Sequence, residues 1–190
     1  MAKRADNSLW LGMATGQLLR VAAGERRALL ADTIPQTRKL FVDASDRLWI
    51  CSNHGIQSVA PGSTRVQPTT APSGLGEITD AAQDQEGTIW FATQGGLLRW
   101  ANDEWSVLKP DDPMGAGFAA ISPDRGGWLW IGGASHGLLH LHVQGSRADH
   151  AQWITDPNIT DAAIYFTQTD SRGWLWAGTD DGFAVFDGRS

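Results

Sequence analysis

The chain has 190 residues, of which 42% are hydrophobic and 19% are charged, and its formal net charge is −6 at pH 7. This composition excludes a disordered chain. An acidic balance without a basic cluster argues against a nucleic-acid-binding face. The apolar runs are far shorter than the roughly 20 residues that a membrane-spanning helix needs. The first eight residues lack the apolar segment of a signal peptide, and one cysteine cannot form an internal disulfide.

A tryptophan-centred motif occurs five times, at intervals of roughly 40 residues. The anchoring tryptophans are Trp10, Trp49, Trp90, Trp130 and Trp176. A glycine follows each tryptophan by six or seven residues, at Gly16, Gly55, Gly96, Gly137 and Gly182. An aspartate precedes four of the tryptophans by six residues, at Asp43, Asp84, Asp124 and Asp170. A period near 40 that consists of short strands and turns is typical of a propeller blade.

Each motif position has a predicted structural role. The aspartates fit tight hairpins, because their side chains can accept hydrogen bonds from nearby backbone N–H groups. The strand around the tryptophan is apolar at successive positions, as in Leu48-Trp49-Ile50, which predicts burial on both faces. We expect the tryptophan to fill the wide space between neighbouring blades. The small residues that follow it, including a buried thiol at Cys51, let the narrow end close.

The sequence therefore predicts an all-β chain, a single β-propeller over residues 1–190. Its repeats cover about residues 5–36, 37–76, 77–116, 117–160 and 161–190. Three repeats read as complete four-stranded blades; the first lacks an innermost strand and the last lacks an outermost strand. The chain is either an unusual five-bladed ring or an arc of a larger propeller, and its incomplete end blades favour the arc. Open blade edges then predict self-association.

The repeats resemble those of the two-component regulator propeller family, whose motif reads roughly D-x-x-G-x-L-W-x-G-T-x-x-G-G-L. Close matches are DQEGTIWFATQGGLLRW and DSRGWLWAGTDDGFAVF, and DRGGWLWIGGASHGLLH matches with one insertion. DASDRLWICSNHGIQSV is looser, with Asp46 in place of the glycine, and NSLWLGMATGQLLR lacks the aspartate. The resemblance covers about residues 5–188. It implies a bacterial signal-transduction role, as a non-catalytic sensor domain of a membrane histidine kinase or diguanylate cyclase.

The same resemblance implies a periplasmic or other extracytoplasmic location within a larger membrane protein, and a small molecule, glycan or peptide as ligand. Propeller ligands usually bind over the central channel, at the face lined by the turns after the tryptophan strands. The candidates for ligand binding there are Thr15, His54, His136, Asp180 and Asp181. All five equally suit plain turns. No metal or cofactor is predicted, because a metal site needs three or four ligands.

Other polar and aromatic residues have two interpretations each. His140 and His142 share one face of a strand. They could form a two-ligand metal clip, or they could simply belong to a half-exposed surface. The four motif aspartates could serve acid–base chemistry, but one hairpin role explains all of them. Trp100, Trp105 and Trp153 could stack on a sugar or pack on outer strands. Arg20 and Arg99 occupy equivalent positions and suit a solvated stripe.

Three functions compete. A sensing or interaction module ranks first, and a propeller fragment that self-assembles to complete a ring ranks second. The third is a metal-dependent lyase, similar to the streptogramin-inactivating propeller enzymes, for which only His54, His136 and the Asp180-Asp181 pair give support. A saturable response to a glycan or peptide without metal would favour the first function, and a metal-dependent response that His54→Ala abolishes would favour the third.

Overall fold

The computed structural model describes residues 1–25, 29–34, 36–109, 117–156 and 159–187, and for residues 29–33 it describes the backbone only. Within these residues the chain forms nineteen strands and one turn of 3₁₀ helix, Arg125–Gly127. The strands make five antiparallel sheets, one for each repeat, and sequence neighbours pair within every sheet. The predicted all-β propeller fold is confirmed. Among the described residues, no helix has the length and apolar character needed to cross a bilayer.

The chain divides into two compact units, residues 1–78 and residues 79–190, which we call the N-terminal and C-terminal units. The N-terminal unit contains two sheets. The first sheet consists of β1 (Ala2–Lys3), β2 (Leu9–Gly12), β3 (Gln17–Val21) and β4 (Leu29–Thr33). The second sheet consists of β5 (Thr37–Val42), β6 (Leu48–Ser52), β7 (Gly55–Val59) and β8 (Val66–Pro68).

The C-terminal unit contains three sheets. The third sheet consists of β9 (Ile78–Gln83), β10 (Ile89–Thr93), β11 (Gly96–Ala101) and β12 (Glu104–Leu108). The fourth consists of β13 (Phe118–Pro123), β14 (Trp128–Gly133), β15 (Leu138–Gln144) and β16 (Arg147–Trp153). The fifth consists, among the described residues, of β17 (Ile164–Thr169), β18 (Leu175–Thr179) and β19 (Gly182–Phe186).

The prediction that the first repeat lacks an innermost strand is wrong. Ala2 and Lys3 pair with Trp10 and Leu9, so the first sheet has four strands. A two-residue strand is too short to show any alternation of apolar and polar residues, which is why the sequence gives no sign of it. The fifth sheet has three strands within the described residues, as predicted.

The motif aspartates hold both the hairpin and the tryptophan. Asp43 Oδ1 accepts the backbone N–H groups of Ser45 and Arg47, and its Oδ2 accepts the indole N–H of Trp49 at 2.8 Å. The same carboxylate–indole bond occurs in the third, fourth and fifth repeats, at 2.8, 3.1 and 3.2 Å. Each hairpin also contains a left-handed residue three positions before the tryptophan, namely Asn7, Asp46, Gly87, Gly127 or Gly173.

The first repeat replaces this aspartate with Arg4, and the replacement joins the first sheet to the second. Arg4 is only 4% exposed, and it donates to the carbonyl oxygens of Asp46, Ala60 and Ser63 at 2.6 to 3.0 Å. It also forms an ion pair with the Asp46 carboxylate at 3.1 Å. The indole N–H of Trp10 is buried without a hydrogen-bond partner. Arg4 and Asp46, which both depart from the motif, therefore form one contact.

The repeat tryptophans pack against the following sheet within each unit. In the N-terminal unit, Trp10 is fully buried in one apolar cluster with Leu48 and Ile50 of the second sheet. In the C-terminal unit, Trp90 shares a cluster with Leu129 and Ile131 of the fourth sheet. These partners are the residues on either side of the next repeat tryptophan. The predicted packing between blades is confirmed at these two interfaces.

The small residues after the tryptophans make room for the next sheet. A Cβ atom on Gly132 would lie 2.6 Å from Cγ2 of Ile164 in the fifth sheet. A Cβ atom on Gly12 would lie 3.1 Å from Cγ2 of Thr37 in the second sheet. Cys51 occupies the equivalent position in the second repeat and is fully buried, as predicted.

Candidate functional site

A hydroxyl side chain closes the turn after the tryptophan strand in three repeats. The three residues are Ser52, Thr93 and Thr179. Each hydroxyl donates to the carbonyl of the motif glycine, at 3.2, 2.7 and 3.3 Å in chain order. It also accepts the N–H of the residue just before that glycine, at 3.2 Å in all three repeats. The end of the strand therefore fixes the turn backbone.

The residue before the glycine is the one that differs between these turns. It is His54 in the second repeat, Gly95 in the third and Asp181 in the fifth, and all three are exposed. Since the hydroxyl bonds hold the main chain, the side chain at this position projects from an ordered turn into solvent. A constant scaffold with variable exposed loops is a common arrangement for a recognition surface.

The remaining candidates also lie in exposed turns. The Thr15 hydroxyl donates to Gln17 Oε1 at 3.3 Å, and His136 Nδ1 lies 3.0 Å from the Ser135 hydroxyl. The turn of His136 is held by main-chain bonds, because the N–H of Gly137 donates to Ala162 at 3.0 Å. Asp180 is exposed beside Asp181.

The convergence of these residues on one ligand stays a prediction. Thr15 and His54 belong to the N-terminal unit, whereas His136, Asp180 and Asp181 belong to the C-terminal unit. Among the described residues, no three histidine, cysteine or acidic side chains come close enough to hold a metal ion.

The fourth sheet carries a cluster of indole and imidazole rings, which we call the ring cluster: Trp128, Trp130, His140, His142 and His150. His140 stacks on Trp130 with ring centroids 3.8 Å apart and on Trp128 at 4.3 Å. His142 and His150 are cross-strand neighbours and both contact Trp128, at 5.0 and 5.6 Å. The ring cluster therefore covers one face of the fourth sheet.

Hydrogen bonds hold one histidine of the ring cluster, His142, in place. His142 Nδ1 bonds to the Asp149 carboxylate, and its Nε2 lies 3.0 Å from the carbonyl of Gly126. His140 Nε2 lies 3.3 Å from Asp124 Oδ2, without the alignment of a hydrogen bond. Both ring nitrogens of His142 therefore have partners, so a metal clip at His140 and His142 would have to break one of these bonds.

The surroundings of His140 disfavour its charged form. Burial between the two indoles lowers its pKa below the usual value, and the nearby Asp124 carboxylate opposes this effect only in part. The neighbouring His142 and His150 lower the pKa further. A neutral imidazole stacked between two indoles acts as a packing group.

A small cavity of about 90 Å³ lies between the aspartate turns of the third and fourth sheets. Its lining includes Asp84, Glu86, Trp90, Arg99 and Trp128. The guanidinium carbon of Arg99 lies 5.9 Å from the centroid of the Trp90 ring, so this arginine covers the indole. Pockets for organic ligands usually begin at about 300 Å³, so the cavity suits a few water molecules.

The tryptophans outside the motif pack within their own sheets. The Trp100 and Trp105 rings are 4.8 Å apart, and Trp105 lies 5.5 Å from Phe91. Trp153 packs against the apolar cluster of the third and fourth sheets. Arg20, which is equivalent to Arg99, pairs with Asp6 at 3.0 Å.

Sequence reasoning missed two features of this region. One is the hydrogen bond that the indole N–H donates to the motif aspartate six residues earlier, for which the constant spacing was the available signal. The other is the place of Trp128 and His150 beside His140 and His142. Only the pairing register of β15 with β14 and β16 brings these residues together.

No family model matches the chain, and no curated protein matches it in sequence. Its fold is similar to that of the extracellular domain of BT4673 from B. thetaiotaomicron, described as a one component system. The TM-score is 0.80 at 18% identity, over 97% of this chain and 26% of that domain. The extracellular domain of the hybrid two component system BT3049 from the same organism gives a TM-score of 0.74 at 20% identity, again over 97% and 26%.

Virginiamycin B lyase from Staphylococcus aureus is also similar, with a TM-score of 0.75 at 12% identity, over 100% of this chain and 69% of the lyase. Matches at identities of 12% to 20% show that the fold is shared and nothing more. The chain spans about a quarter of the length of the two extracellular domains. The resemblance to two-component regulator propellers is thus confirmed at the level of the fold.

Proposed function

We propose that the chain is a non-catalytic recognition module in the extracytoplasmic sensor of a bacterial membrane signalling receptor, of the histidine kinase or diguanylate cyclase type. The observation that carries this proposal is the set of turns closed by Ser52, Thr93 and Thr179, which hold exposed and variable side chains on a repeated scaffold. The similarity in fold to extracellular domains of one- and two-component systems supports it.

The proposed ligand is a small molecule, glycan or peptide that contacts these turns through imidazole and carboxylate groups. His54, His136 and Asp181 supply hydrogen-bonding groups that change from repeat to repeat, as selective recognition requires. Because the turn backbones are already fixed, binding would cost little ordering of the main chain.

The test is binding of the chain to a glycan array and to a panel of short peptides, without added metal. We expect saturable binding that weakens at least tenfold in His54→Ala and in Asp181→Ala. Glu86→Ala is the matched control, because Glu86 is exposed in an aspartate turn at the opposite end of the tryptophan strand. Binding that Glu86→Ala weakens as much as the turn variants do would contradict the proposal, as would no binding to any probe.

A metal-dependent lyase, the last of the three functions that the sequence suggests, is a further candidate, because the fold of virginiamycin B lyase is similar over the whole chain. His54 and His136 are the ligands that the sequence suggests for it, although no group of three potential metal ligands forms among the described residues. The chain would be incubated with virginiamycin B and a divalent metal, and the products followed by mass spectrometry. A reaction product that chelation and His54→Ala both abolish would favour the lyase over the recognition module.

A further inference from the structure

The fifth sheet leaves the face of its repeat tryptophan open. Trp176 is 37% exposed, whereas Trp10, Trp90 and Trp130 are at most 6% exposed. Val185 lies opposite Trp176 across the strands, and Phe166 and Phe183 both lie opposite Gly178, so these residues share one face. Phe183 is 75% exposed, and the other two are more than 40% exposed. An apolar face of this kind on a soluble fold marks an interaction surface. We call it the Trp176 face.

Within each unit, the equivalent tryptophan face is covered by the next sheet, whose contacting residues are aliphatic. Leu48 and Ile50, which flank Trp49, pack with Trp10. Likewise the residues that flank Trp130 pack with Trp90, and Leu175, which precedes Trp176, packs with Trp130. A tryptophan face therefore packs against a face that consists of the aliphatic residues on both sides of another repeat tryptophan.

The first sheet carries an aliphatic face of that type. Leu9 and Leu11 flank Trp10, and their cross-strand partners are Val21 and Leu19. All four are only half-buried, whereas Leu48, Ile50, Leu129 and Ile131 in the equivalent flanking positions are at most 1% exposed. We call this surface the Leu9–Leu11 face. Among the residues that the structure describes, one face of each kind is thus incompletely covered.

Charged side chains lie beside the two faces. Lys3 pairs with Leu9 at the end of β1, next to the turn that precedes Trp10, and it is exposed. Asp170 lies at the same end of the fifth sheet, where it accepts the indole N–H of Trp176 and forms an ion pair with Arg172 at 2.6 Å. Because the Asp170 carboxylate is already paired, the contact between the two faces rests on their apolar residues.

We propose that the Trp176 face binds the Leu9–Leu11 face of a second copy of this chain, in a heterologous, head-to-tail contact. The contact repeats between two molecules the packing that joins neighbouring sheets within each unit. This interaction is independent of the recognition function proposed above, because it uses the sheet faces and leaves the turns accessible.

The test is the molar mass of the full chain by analytical ultracentrifugation, from low micromolar to several hundred micromolar. We expect the mass to rise with concentration through dimers to longer species, because a head-to-tail contact leaves a free face at each end. Trp176→Asp should keep the chain monomeric. Val185→Asp is a second variant on the same face, in case Trp176→Asp does not fold. Val107→Asp, at an exposed position of the third sheet, is the control that should associate like the wild type.

Mixing two variants tests the pairing of the faces. Trp176→Asp keeps the Leu9–Leu11 face, and Leu11→Asp keeps the Trp176 face. Each variant alone should be monomeric, and the mixture should form a heterodimer that does not grow further. A monomeric wild type at every concentration, association that survives both Trp176→Asp and Val185→Asp, or a mixture of folded variants that stays monomeric would each overturn the proposal.

Discussion

The third and fifth sheets carry nearly the same motif but differ in what lies against the tryptophan. In both, an aspartate accepts the indole N–H, at 2.8 Å from Asp84 to Trp90 and at 3.2 Å from Asp170 to Trp176. In both, a threonine closes the following turn. Trp90 is nonetheless buried under the fourth sheet, while Trp176 is 37% exposed.

This difference shows that the motif and the neighbouring sheet determine different features of the repeat. The motif specifies the hairpin, the indole bond and the capped turn, all of which form within one sheet. Burial of the tryptophan depends on a neighbouring sheet, and that sheet covers the indole only where another repeat packs against it. Equivalent positions in covered and open sheets should therefore respond differently to the same substitution.

The largest difference should come from the two tryptophans. We expect Trp90→Ala to lower the free energy of unfolding by about 3–5 kcal/mol, because it empties a buried site between two sheets. Trp176→Ala should cost less than half as much, since its indole already contacts solvent. Urea unfolding at low protein concentration, followed by circular dichroism, measures both. Equal costs would show that the two indoles are equally buried.

The glycines after the tryptophans should show the next largest difference. Gly132→Ala places a Cβ atom against Ile164, which is fully buried, and we expect a loss of about 1–3 kcal/mol from overpacking. Gly178→Ala meets the ring of Phe166, which is 41% exposed and can turn outward into solvent. Thermal unfolding of both variants should therefore show a clear fall in Tm for Gly132→Ala only.

The motif aspartates should differ in the same direction. Asp84→Ala leaves the buried indole N–H of Trp90 without a partner and should cost about 1–2 kcal/mol. Asp170→Ala should cost less, because the Trp176 indole can bond to water instead. The substitution also removes the ion pair of Asp170 with Arg172, but the Arg172 side chain is 56% exposed, so this loss should add little. Urea midpoints of the two variants give the comparison, and a larger loss for Asp170→Ala would contradict it.

The smallest effect concerns pH. Burial lowers the pKa of His140, which stacks on Trp130, so the unfolded chain takes up a proton first as the pH falls below about 6.5. This group therefore contributes stability at neutral pH that is lost on acidification. His140→Phe should keep the ring stacking and reduce the fall in urea midpoint between neutral and mildly acidic pH. His136→Phe, at an exposed turn, should leave that fall unchanged.

Much of the fold could be predicted from the sequence, because the motif acts locally. The constant spacing of aspartate, tryptophan and glycine specified the hairpins, the buried strand and the number of sheets. Ala2–Lys3 was missed because two residues carry no periodicity. The Arg4–Asp46 pair was missed because each residue looked like an isolated departure from the motif.

The candidate site was less accessible to sequence reasoning. The exposure of His54, His136 and Asp181 follows from their place in turns, but which side chains meet a common ligand depends on distances across the fold. The ring cluster depends on cross-strand register, which spacing along one strand does not specify. The sequence did not indicate the open Trp176 face for a similar reason. The fifth repeat has an intact motif, and only its neighbouring sheet differs.

The most direct test of this account is hydroxyl-radical footprinting of the individual tryptophans in a dilute solution of the chain, with the oxidised positions identified by mass spectrometry. Rapid oxidation of Trp176, with Trp10, Trp90 and Trp130 protected, is the predicted result. Oxidation of Trp90 or Trp130 as fast as Trp176, or equal protection of all four, would contradict the claim that the motif sets the sheet and its neighbour sets the burial.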